Sequence, residues 1–360
     1  NKEVHKRPLT KQQKMAIKKK KRQRKIILLV VELLVLLILA AVLYGVSKLS
    51  KIEREDIPLE NIEVNEGISE ESQEIMKNYK TIALFGLDNR SNGNLSKGRS
   101  DVIMIANINN DTKEVKLCSV FRDSYLDVGN GSFRKCNAAY GNGGPEAAIN
   151  MLNKNLDLDI QDYVTVDFNV VADVVDAIGG LEIDVQPEEI QWINGYQTEG
   201  SQVTGKQIVE VTQSGPQTLN GLQTLSYCRI RYTTGDDYKR TERQRDVLNK
   251  ILEKVKTMPV TTLVGIVNDM FDHISTSLTL TEIIDLAKDV TSYNLVDTTG
   301  FPFNSTPMTL PTGGDCVVPV NLANNVLQLH QWMYGSDSYE SVSSTVQEIS
   351  DRIINETGAQ

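Results

Sequence analysis

Several common chemistries lack the residues they need in this sequence. The 360 residues include three histidines, His5, His273 and His330, and none of them lies in a cluster of charged residues. A serine–histidine–aspartate triad therefore has no candidate base near those clusters. The four cysteines show no CxxC spacing, which argues against a zinc site and leaves a disulfide open. The stretch GNGG at 141–144 lacks the GK[ST] ending of a nucleotide-binding P-loop.

Positive charge is also scarce outside the N-terminus. Residues 1–25 hold 12 of the 38 lysines and arginines and one acidic residue, Glu3. The other 335 residues carry 26 basic against 46 acidic side chains. A nucleic-acid-binding protein needs a broad basic surface. This acidic body therefore argues against nucleic acid as a partner.

A long apolar run follows the basic N-terminus. Residues 26–46, IILLVVELLVLLILAAVLYGV, are long enough to cross a bilayer as a helix. The run exceeds a signal-peptide core, and no small-residue cleavage site precedes Lys48. Its one charge, Glu32, lies near the basic end, where Lys25 could pair with it. Because lysine and arginine favour the cytoplasmic side, we expect a single-pass signal anchor in the cell membrane, with 1–25 cytoplasmic and the rest extracellular.

The remainder of the chain divides by composition. Residues 47–78 are polar and acidic and predict an extracellular stem, 79–340 predict one folded domain, and 341–360 predict a polar C-terminal tail. Helical and strand patterns alternate through the domain, which is typical of an α/β fold. We predict strands at 81–86, 102–108, 114–120, 163–167 and 181–185, helices at 145–156 and 170–178, and a hairpin excursion at 190–215.

The most unusual segment is 229–245, RIRYTTGDDYKRTERQR, which holds five arginines. Apolar and aromatic neighbours favour a strand through 227–232. On a strand, Arg229 and Arg231 would point to the same face. Like charges side by side on a strand repel each other unless an anion lies between them. This pair therefore predicts an anion site.

A helix is predicted after a turn at 235–237. Arg240, Arg243 and Gln244 then fall at i, i+3 and i+4, on one face of that helix. Arginine offers planar, bidentate, permanently charged donors that suit phosphate. The alternative is a solvated helix whose arginines are neutralised by neighbouring acidic residues.

Charged residues also follow or precede predicted strands. They form four groups: Asp88 with Arg90, Arg99 with Asp101, Arg122 with Asp123, and Arg229 with Arg231. Ligands of open α/β sheets collect at strand ends. Two carboxylates and several arginines suit a phosphate site assisted by Mg²⁺, which takes one or two carboxylates together with phosphate oxygens. The alternative is that each group is a local salt bridge.

Taken together, these motifs resemble the LytR-CpsA-Psr family of Gram-positive bacteria. The matching pieces span about 80 to 250 in the family's order, and the basic tail and signal anchor also fit. Two departures leave every charged residue in place: Phe121 stands where the family usually has proline, and cysteines occupy apolar positions of three motifs. The pieces are GLDNR (86–90), RSD (99–101), FRDSY (121–125), KCNAAYGNGG (135–144), DAIGGLEIDV (176–185), and LNGLQTLSYCRIR followed by DYKRTERQR.

The resemblance implies a three-layer α/β/α fold with a central mixed β-sheet and an apolar tunnel for a prenyl chain. It implies a phosphotransferase that moves a glycopolymer, such as teichoic acid or capsular polysaccharide, from an undecaprenyl-pyrophosphate carrier to a sugar hydroxyl of peptidoglycan. A membrane-tethered regulator that binds pyrophosphate lipids, and a hydrolase of the same carrier, remain as alternatives.

The resemblance also implies roles for individual residues. Asp88 and Asp101 would hold Mg²⁺, or Mn²⁺ in its place, and one aspartate could deprotonate the acceptor hydroxyl. The pyrophosphate site would comprise Arg90, Arg99, Arg122, Lys135, Arg229, Arg231, Asp237, Arg240, Arg243 and Gln244. The lipid tunnel would be lined by Val170, Val171, Val174, Val175 and Ile178, for which an ordinary core stripe is the alternative.

Overall fold

The computed structural model describes residues 53–54, 57–87, 95, 98–231, 236–259, 262, 266, 273–335 and 339–360. The predicted cytoplasmic tail, 1–25, and signal anchor, 26–46, lie outside these residues. Within the described part of the chain, no helix combines the length and the apolar character that a membrane span requires.

Strands and helices alternate along the chain. The strands are β1 (Glu53–Arg54), β2 (Tyr79–Leu87), β3 (Ser100–Asn109), β4 (Glu114–Val120), β5 (Tyr125–Asp127), β6 (Phe133–Lys135), β7 (Asp162–Asp167), β8 (Leu181–Val185), β9 (Gly215–Leu219), β10 (Ile274–Thr276), β11 (Asn294–Phe301), β12 (Ser305–Leu310) and β13 (Gly314–Pro319). The helices are α1 (Glu70–Lys77), α2 (Ala138–Leu156), α3 (Phe168–Ala177), α4 (Ile190–Thr204), α5 (Gly221–Tyr227), α6 (Asp236–Lys256), α7 (Leu280–Lys288), α8 (Leu322–Tyr334) and α9 (Ser344–Thr357).

A mixed seven-stranded sheet in the order β1-β10-β7-β2-β3-β4-β11 forms the centre of the domain. Strand β2 pairs in parallel with β7 and antiparallel with β3, while β4 pairs in parallel with β11. The predicted central mixed sheet is therefore confirmed. The other strands form two-stranded ribbons, β5 with β6, β8 with β9 and β12 with β13.

Both faces of the sheet are apolar because its central strands are nearly continuous runs of apolar residues, as expected for strands buried on two sides. On β3, Ile103 and Ile105 point into the main core, which they share with apolar residues of α2, α8 and α9. Met104 and Ala106 alternate with them and point into a smaller cluster on the opposite face. The strand predictions at 81–86, 102–108, 114–120 and 163–167 are confirmed within two or three residues.

The segment 341–360, predicted as a polar tail, is largely the helix α9 and packs into the main core. Val346, Ile349 and Ile353 recur at i, i+3 and i+7, which gives the helix one apolar stripe. All three side chains are buried against the core. This stripe was visible in the sequence but was outweighed by the polar composition around it.

The predicted hairpin at 190–215 is wrong, because the first half of that segment forms α4. The chain then returns beside the helix, and side-chain amides of α4 take the place of a partner strand. Asn194 exchanges two hydrogen bonds with the backbone of Val211, and Gln197 does the same with Val209. Because amide side chains are also common in loops, the composition of this polar helix resembles that of a loop.

The strand predicted through 227–232 is also wrong. Asn220 caps the short helix α5, and its side chain and that of Gln223 form a reciprocal capping box. The helix runs to Tyr227 and continues into tight turns at Cys228 and Arg229. A capping box therefore overrides the strand preference of the aromatic residues, and Arg229 and Arg231 do not share a strand face.

Candidate active site

Strand register brings several chain segments to one edge of the central sheet. Leu87, the last residue of β2, lies opposite Asp167 at the end of β7 and opposite Ser100 at the start of β3. The end of β4 meets the end of β11, where the Phe121 amide donates to the Phe301 carbonyl. The strand ends next to Asp101 and Arg122, two of the predicted site residues, therefore lie at this edge. Asp88 and Arg90 directly follow β2 and lie outside the described residues.

Four charged side chains at this edge form a connected set, which we call the sheet-edge group: Asp101, Arg122, Asp123 and Lys135. The Arg122 guanidinium donates through Nη1 to Asp101 Oδ1, and its Nε lies 3.9 Å from Asp123 Oδ1. Lys135 Nζ lies 3.2 Å from the same Asp123 oxygen. Their side chains are 16–26% exposed, so the group is partly open to solvent. Asp123 was noted beside Arg122 but was not among the predicted site residues.

Backbone contacts fix the loop that carries Arg122. The Arg122 carbonyl accepts from the Asn137 amide, and the Ser124 carbonyl accepts from the Cys136 amide. The Cys136 thiol lies 3.3 Å from the carbonyl oxygens of Phe121 and Arg122. These contacts hold Arg122 and Lys135 on adjoining backbone, while Arg99, also predicted in the site, is exposed just before β3.

Phe121, which stands in place of the family's proline, packs the same loop against α6. Its ring contacts Tyr238 edge to face, with 4.6 Å between the ring centroids. Gly300 makes room for it, since a Cβ there would lie 2.5 Å from the Phe121 ring. The departure at Phe121 thus joins the sheet-edge group to the arginine-bearing helix.

The second charged region is the turn 228–231 with the facing side of α6, which we call the arginine turn. Arg229 lies 3.0 Å from Glu199 through Nη2 and covers the Tyr196 ring at 5.2 Å, so α4 supplies both contacts. Arg231 is half-buried after Ile230. Arg229 and Arg231 therefore reach this region from irregular backbone rather than from a strand.

Two predicted phosphate ligands on α6 make contacts within the protein. Arg243 is buried, pairs with Glu189 at 2.8 Å, and donates through Nη1 to the Ile230 carbonyl at 3.3 Å. Gln244 donates to the Cys228 carbonyl at 3.2 Å. Both residues thus hold the backbone of the arginine turn. Glu189 was missed from the sequence because it lies 54 residues away from Arg243.

The other predicted positions on α6 differ in their surroundings. Arg240 is almost fully buried. The side chain of Asp237 lies outside the described residues. Arg245, which was not among the predicted site residues, is half-buried, and burial lowers its pKa. Its Nε and Nη1 atoms are buried without a hydrogen bond from the described residues, so Arg245 contributes positive charge beside β4.

An apolar cavity of about 290 Å³ lies between the sheet and the helices α3, α5 and α6. Arg229 and Gln244 are the polar side chains in its wall. Of the five predicted tunnel residues, Val171 lines the cavity, whereas Val174, Val175 and Ile178 pack into a neighbouring cluster with residues of α4, α5 and α6, which shares Cys228 and Val247 with the cavity wall. The remaining lining residues are Leu84, Phe85, Gly86, Val102, Met104, Val164, Val166, Leu225, Cys228, Val247, Leu248 and Ile251.

The cysteines close one question that the sequence left open. All four are free and buried, so none forms a disulfide. Burial raises the pKa of the Cys118 and Cys228 thiols to about 12, which keeps both protonated at neutral pH. Their chemistry is that of small core residues.

The fold and this geometry define a class of protein. A mixed α/β domain places an arginine, Arg229, at the wall of an apolar cavity, an arrangement that suits a ligand with an anionic head and an apolar tail. The chain belongs to the LytR_cpsA_psr family, whose sequence profile it matches over residues 40–326.

Curated relatives support the family assignment. The chain is 31% identical over 229 residues to TagU of Enterococcus faecalis, named a polyisoprenyl-teichoic acid–peptidoglycan teichoic acid transferase, covering 62% of this chain and 70% of TagU. It is 29% identical over 191 residues to TagV of Bacillus subtilis, which carries the same activity name, covering 52% of this chain and 46% of TagV. The chain therefore spans less than half of TagV.

Solved structures share the fold. TagT bound to LIIa-WTA superposes with a TM-score of 0.54 at 21% identity, covering 79% of this chain and 92% of TagT. Protein gbs0355 from Streptococcus agalactiae superposes with a TM-score of 0.64 at 22% identity, covering 77% of this chain and 94% of that protein. At these identities the likeness is one of fold.

Proposed function

We propose that this protein is a phosphotransferase that moves a glycopolymer from an undecaprenyl-pyrophosphate carrier to a sugar hydroxyl of peptidoglycan. The observation that carries the proposal is the position of Arg229 in the wall of an otherwise largely apolar cavity. The exposed Glu199 pairs with this guanidinium at 3.0 Å, and a pyrophosphate, which carries more negative charge, would compete for its donors. A pyrophosphate bound at this wall would form an ion pair with Arg229, while the prenyl chain filled the cavity.

The sheet-edge group would hold the same head group from the other side. Arg122 and Lys135 already contact carboxylates, and a doubly charged pyrophosphate would compete for their donors. Phosphoryl transfer depends on positioning and on neutralising charge, more than on covalent help from the protein. Arginines fixed before the substrate arrives would supply that stabilisation without reorganisation.

The carboxylate of Asp101 suits Mg²⁺ beside this group, because Mg²⁺ takes carboxylate and phosphate oxygens. Asp101 is about one quarter exposed, and Arg122 engages its Oδ1 atom. No group of three or more metal-binding side chains occurs among the described residues, so Mg²⁺ would depend on phosphate oxygens for most of its ligands. Asp101, with Asp88, would hold the ion, which would neutralise charge on the phosphates.

The direct test is transfer by the purified protein. It would be incubated with a lipid-pyrophosphate glycan, peptidoglycan oligomers and Mg²⁺, and the products identified by mass spectrometry. A glycan joined to peptidoglycan through a phosphodiester is the expected product. Release of free phosphorylated glycan would instead show a hydrolase, and binding without any product would show a regulator. As a control, the variant Lys288→Ala, which removes an exposed ion pair on α7, should transfer the glycan like the wild type.

The proposal requires the domain to lie on the outer face of the membrane, anchored by residues 26–46. A reporter enzyme that is active only after export, fused behind Gln360, should be active in cells. A reporter that works only in the cytoplasm should be silent in the same position. The opposite pattern would remove the extracellular acceptor from reach.

A further inference from the structure

A histidine–aspartate pair lies at the same edge of the sheet as the candidate site. Asp167 ends β7 directly opposite Leu87, so it neighbours the point where the chain leaves β2. His273 immediately precedes β10, whose residue Ile274 lies opposite Val166. His273 Nδ1 and Asp167 Oδ2 are 2.8 Å apart. No local sequence pattern predicts this pair, because its members are 106 residues apart.

The surroundings of Asp167 fix the orientation and tautomer of the imidazole. The Asp167 side chain is only 2% exposed, and its Oδ1 accepts from the Val170 amide at the start of α3. Its Oδ2 also accepts from the Asn169 side chain at 3.2 Å. A carboxylate that accepts these bonds requires a donor at Nδ1, which leaves the lone pair of a neutral imidazole on Nε2.

The second ring nitrogen is available. The His273 side chain is 34% exposed, and within the described parts of the chain Nε2 has no hydrogen-bond partner. Asp167 is the titratable group that contacts the ring there. By contrast, His330 is buried, stacks on Tyr339 and engages the Leu156 carbonyl through its own Nε2. His273 is thus the histidine placed to exchange a proton at the site.

The carboxylates of the sheet-edge group are less suited to that task. Asp101 is engaged by Arg122, and Asp123 contacts both Arg122 and Lys135. Neighbouring strands are about 4.8 Å apart, so Asp167 lies roughly 10 Å from the start of β3, two strands away. His273 precedes β10, which lies on the far side of β7 from β2 and β3, and its ring contacts Asp167 on β7. A hydroxyl within reach of Nε2 would therefore lie on the β7 side of the sheet-edge group.

We propose that His273 Nε2 accepts the proton of the acceptor hydroxyl and that Asp167 positions the imidazole, an inference that rests on the proposed phosphotransferase. The hydroxyl oxygen bonds to the phosphorus next to the glycan as its proton passes to Nε2. The bond from that phosphorus to the bridging oxygen breaks, and its electron pair leaves with undecaprenyl phosphate. The imidazolium then returns its proton to water or to the departing phosphate.

The variant His273→Asn separates the two ring nitrogens. The asparagine amide nitrogen occupies nearly the place of Nδ1 and can still donate to Asp167, whereas nothing replaces Nε2. General base catalysis contributes about 10²- to 10⁴-fold, so kcat for glycan transfer should fall by that factor. KM, the affinity for undecaprenyl pyrophosphate and the melting temperature should stay as in the wild type.

A second variant, Asp167→Asn, should retain the cap of α3 while weakening the hold on the imidazole. It should lower kcat less than His273→Asn and add nothing in the double variant. If the wild type transfers the glycan and His273→Asn has the same kcat, the proposed role of His273 is wrong, while the proposed phosphotransferase activity is unaffected. A parallel loss of lipid affinity would overturn the proposed role of His273 as well, by showing a structural role. Failure of the wild type to transfer at all would overturn the proposed function itself.

Discussion

The two charged regions of this domain are built in different ways. The sheet-edge group collects Asp101 from β3, Arg122 and Asp123 from the loop after β4, and Lys135 from β6, and its ion pairs remain partly open to solvent. The arginine turn takes its residues from one continuous segment, and Arg243 there is buried against Glu189. The ion pairs of the sheet-edge group are thus accessible to a ligand, whereas the buried pair of the arginine turn is a contact within the protein that supports the turn.

This difference changes how the arginine-rich segment is understood. Arginines close together in sequence suggested a single clamp for phosphate. In the structure, Arg243 and Gln244 hold the carbonyls of Ile230 and Cys228 and so fix the turn that presents Arg229 at the cavity. Clustering in sequence therefore mixes side chains suited to the ligand with side chains that position them.

The largest effect should come from the buried pair of the arginine turn. Removing one partner of a buried ion pair costs about 3–5 kcal/mol, because the other charge is left uncompensated. Glu189→Ala should therefore lower the free energy of unfolding by that amount in urea titrations. The control is Glu199→Ala, which removes the exposed partner of Arg229 and should cost about 1 kcal/mol or less. Equal costs for the two variants would contradict the expectation that burial sets the cost of losing an ion pair.

For the sheet-edge group we expect a large effect on ligand binding and a small effect on stability. Arg122→Ala should weaken binding of undecaprenyl pyrophosphate by about ten- to a hundred-fold, since a hydrogen bond to a charged group contributes about 1.5–3 kcal/mol. Arg122→Lys should recover part of the affinity, because lysine cannot make the bidentate contact. The melting temperature should change little. A variant that melts early yet binds normally when cold would show that Arg122 is structural.

Sequence patterns were sufficient for the central sheet and insufficient for the contacts at its edge. Apolar runs such as 102–108 predicted β3 within two residues, because a strand buried on both faces leaves a nearly continuous apolar signal. The capping box of Asn220 and Gln223 was a readable local signal for α5 that the strand preference of Tyr227 concealed. The pairs Glu189–Arg243 and Asp167–His273 join residues far apart in the chain, and no local pattern encodes them.

The cavity offers a smaller effect that distinguishes the head of the ligand from its tail. Val171 lines the cavity, whereas Val174 on the same helix packs in the neighbouring cluster and does not line the cavity. Val171→Phe should occupy part of the cavity and reduce affinity for the prenyl lipid by about tenfold, or 1.4 kcal/mol. Affinity for a soluble pyrophosphate without the prenyl chain should not change. Val174→Phe is the control, and an equal loss of lipid affinity there would show that the cavity does not hold the tail.

The smallest effect concerns an ion pair outside both regions, which tests whether exposure sets the scale. Lys80 contacts Glu282 at 2.9 Å, and its hydrogen bond lowers the pKa of the Glu282 carboxyl to about 2. The carboxyl of a glutamate in the unfolded chain has a pKa of about 4.3. The ion pair therefore stabilises the folded state fully above that pH, and this stabilisation is lost as pH falls through about 2. The Glu282 side chain is 38% exposed, and solvent screening should limit the contribution to about 1 kcal/mol or less.

Melting temperatures measured from pH 5 to pH 2 should therefore converge for the wild type and Glu282→Gln at the acidic end, with the wild type slightly higher at pH 5. Curves that stay parallel throughout would show that this carboxylate does not contribute through its charge, and a difference as large as that of Glu189→Ala would break the link between burial and cost on which the comparison of the two regions depends.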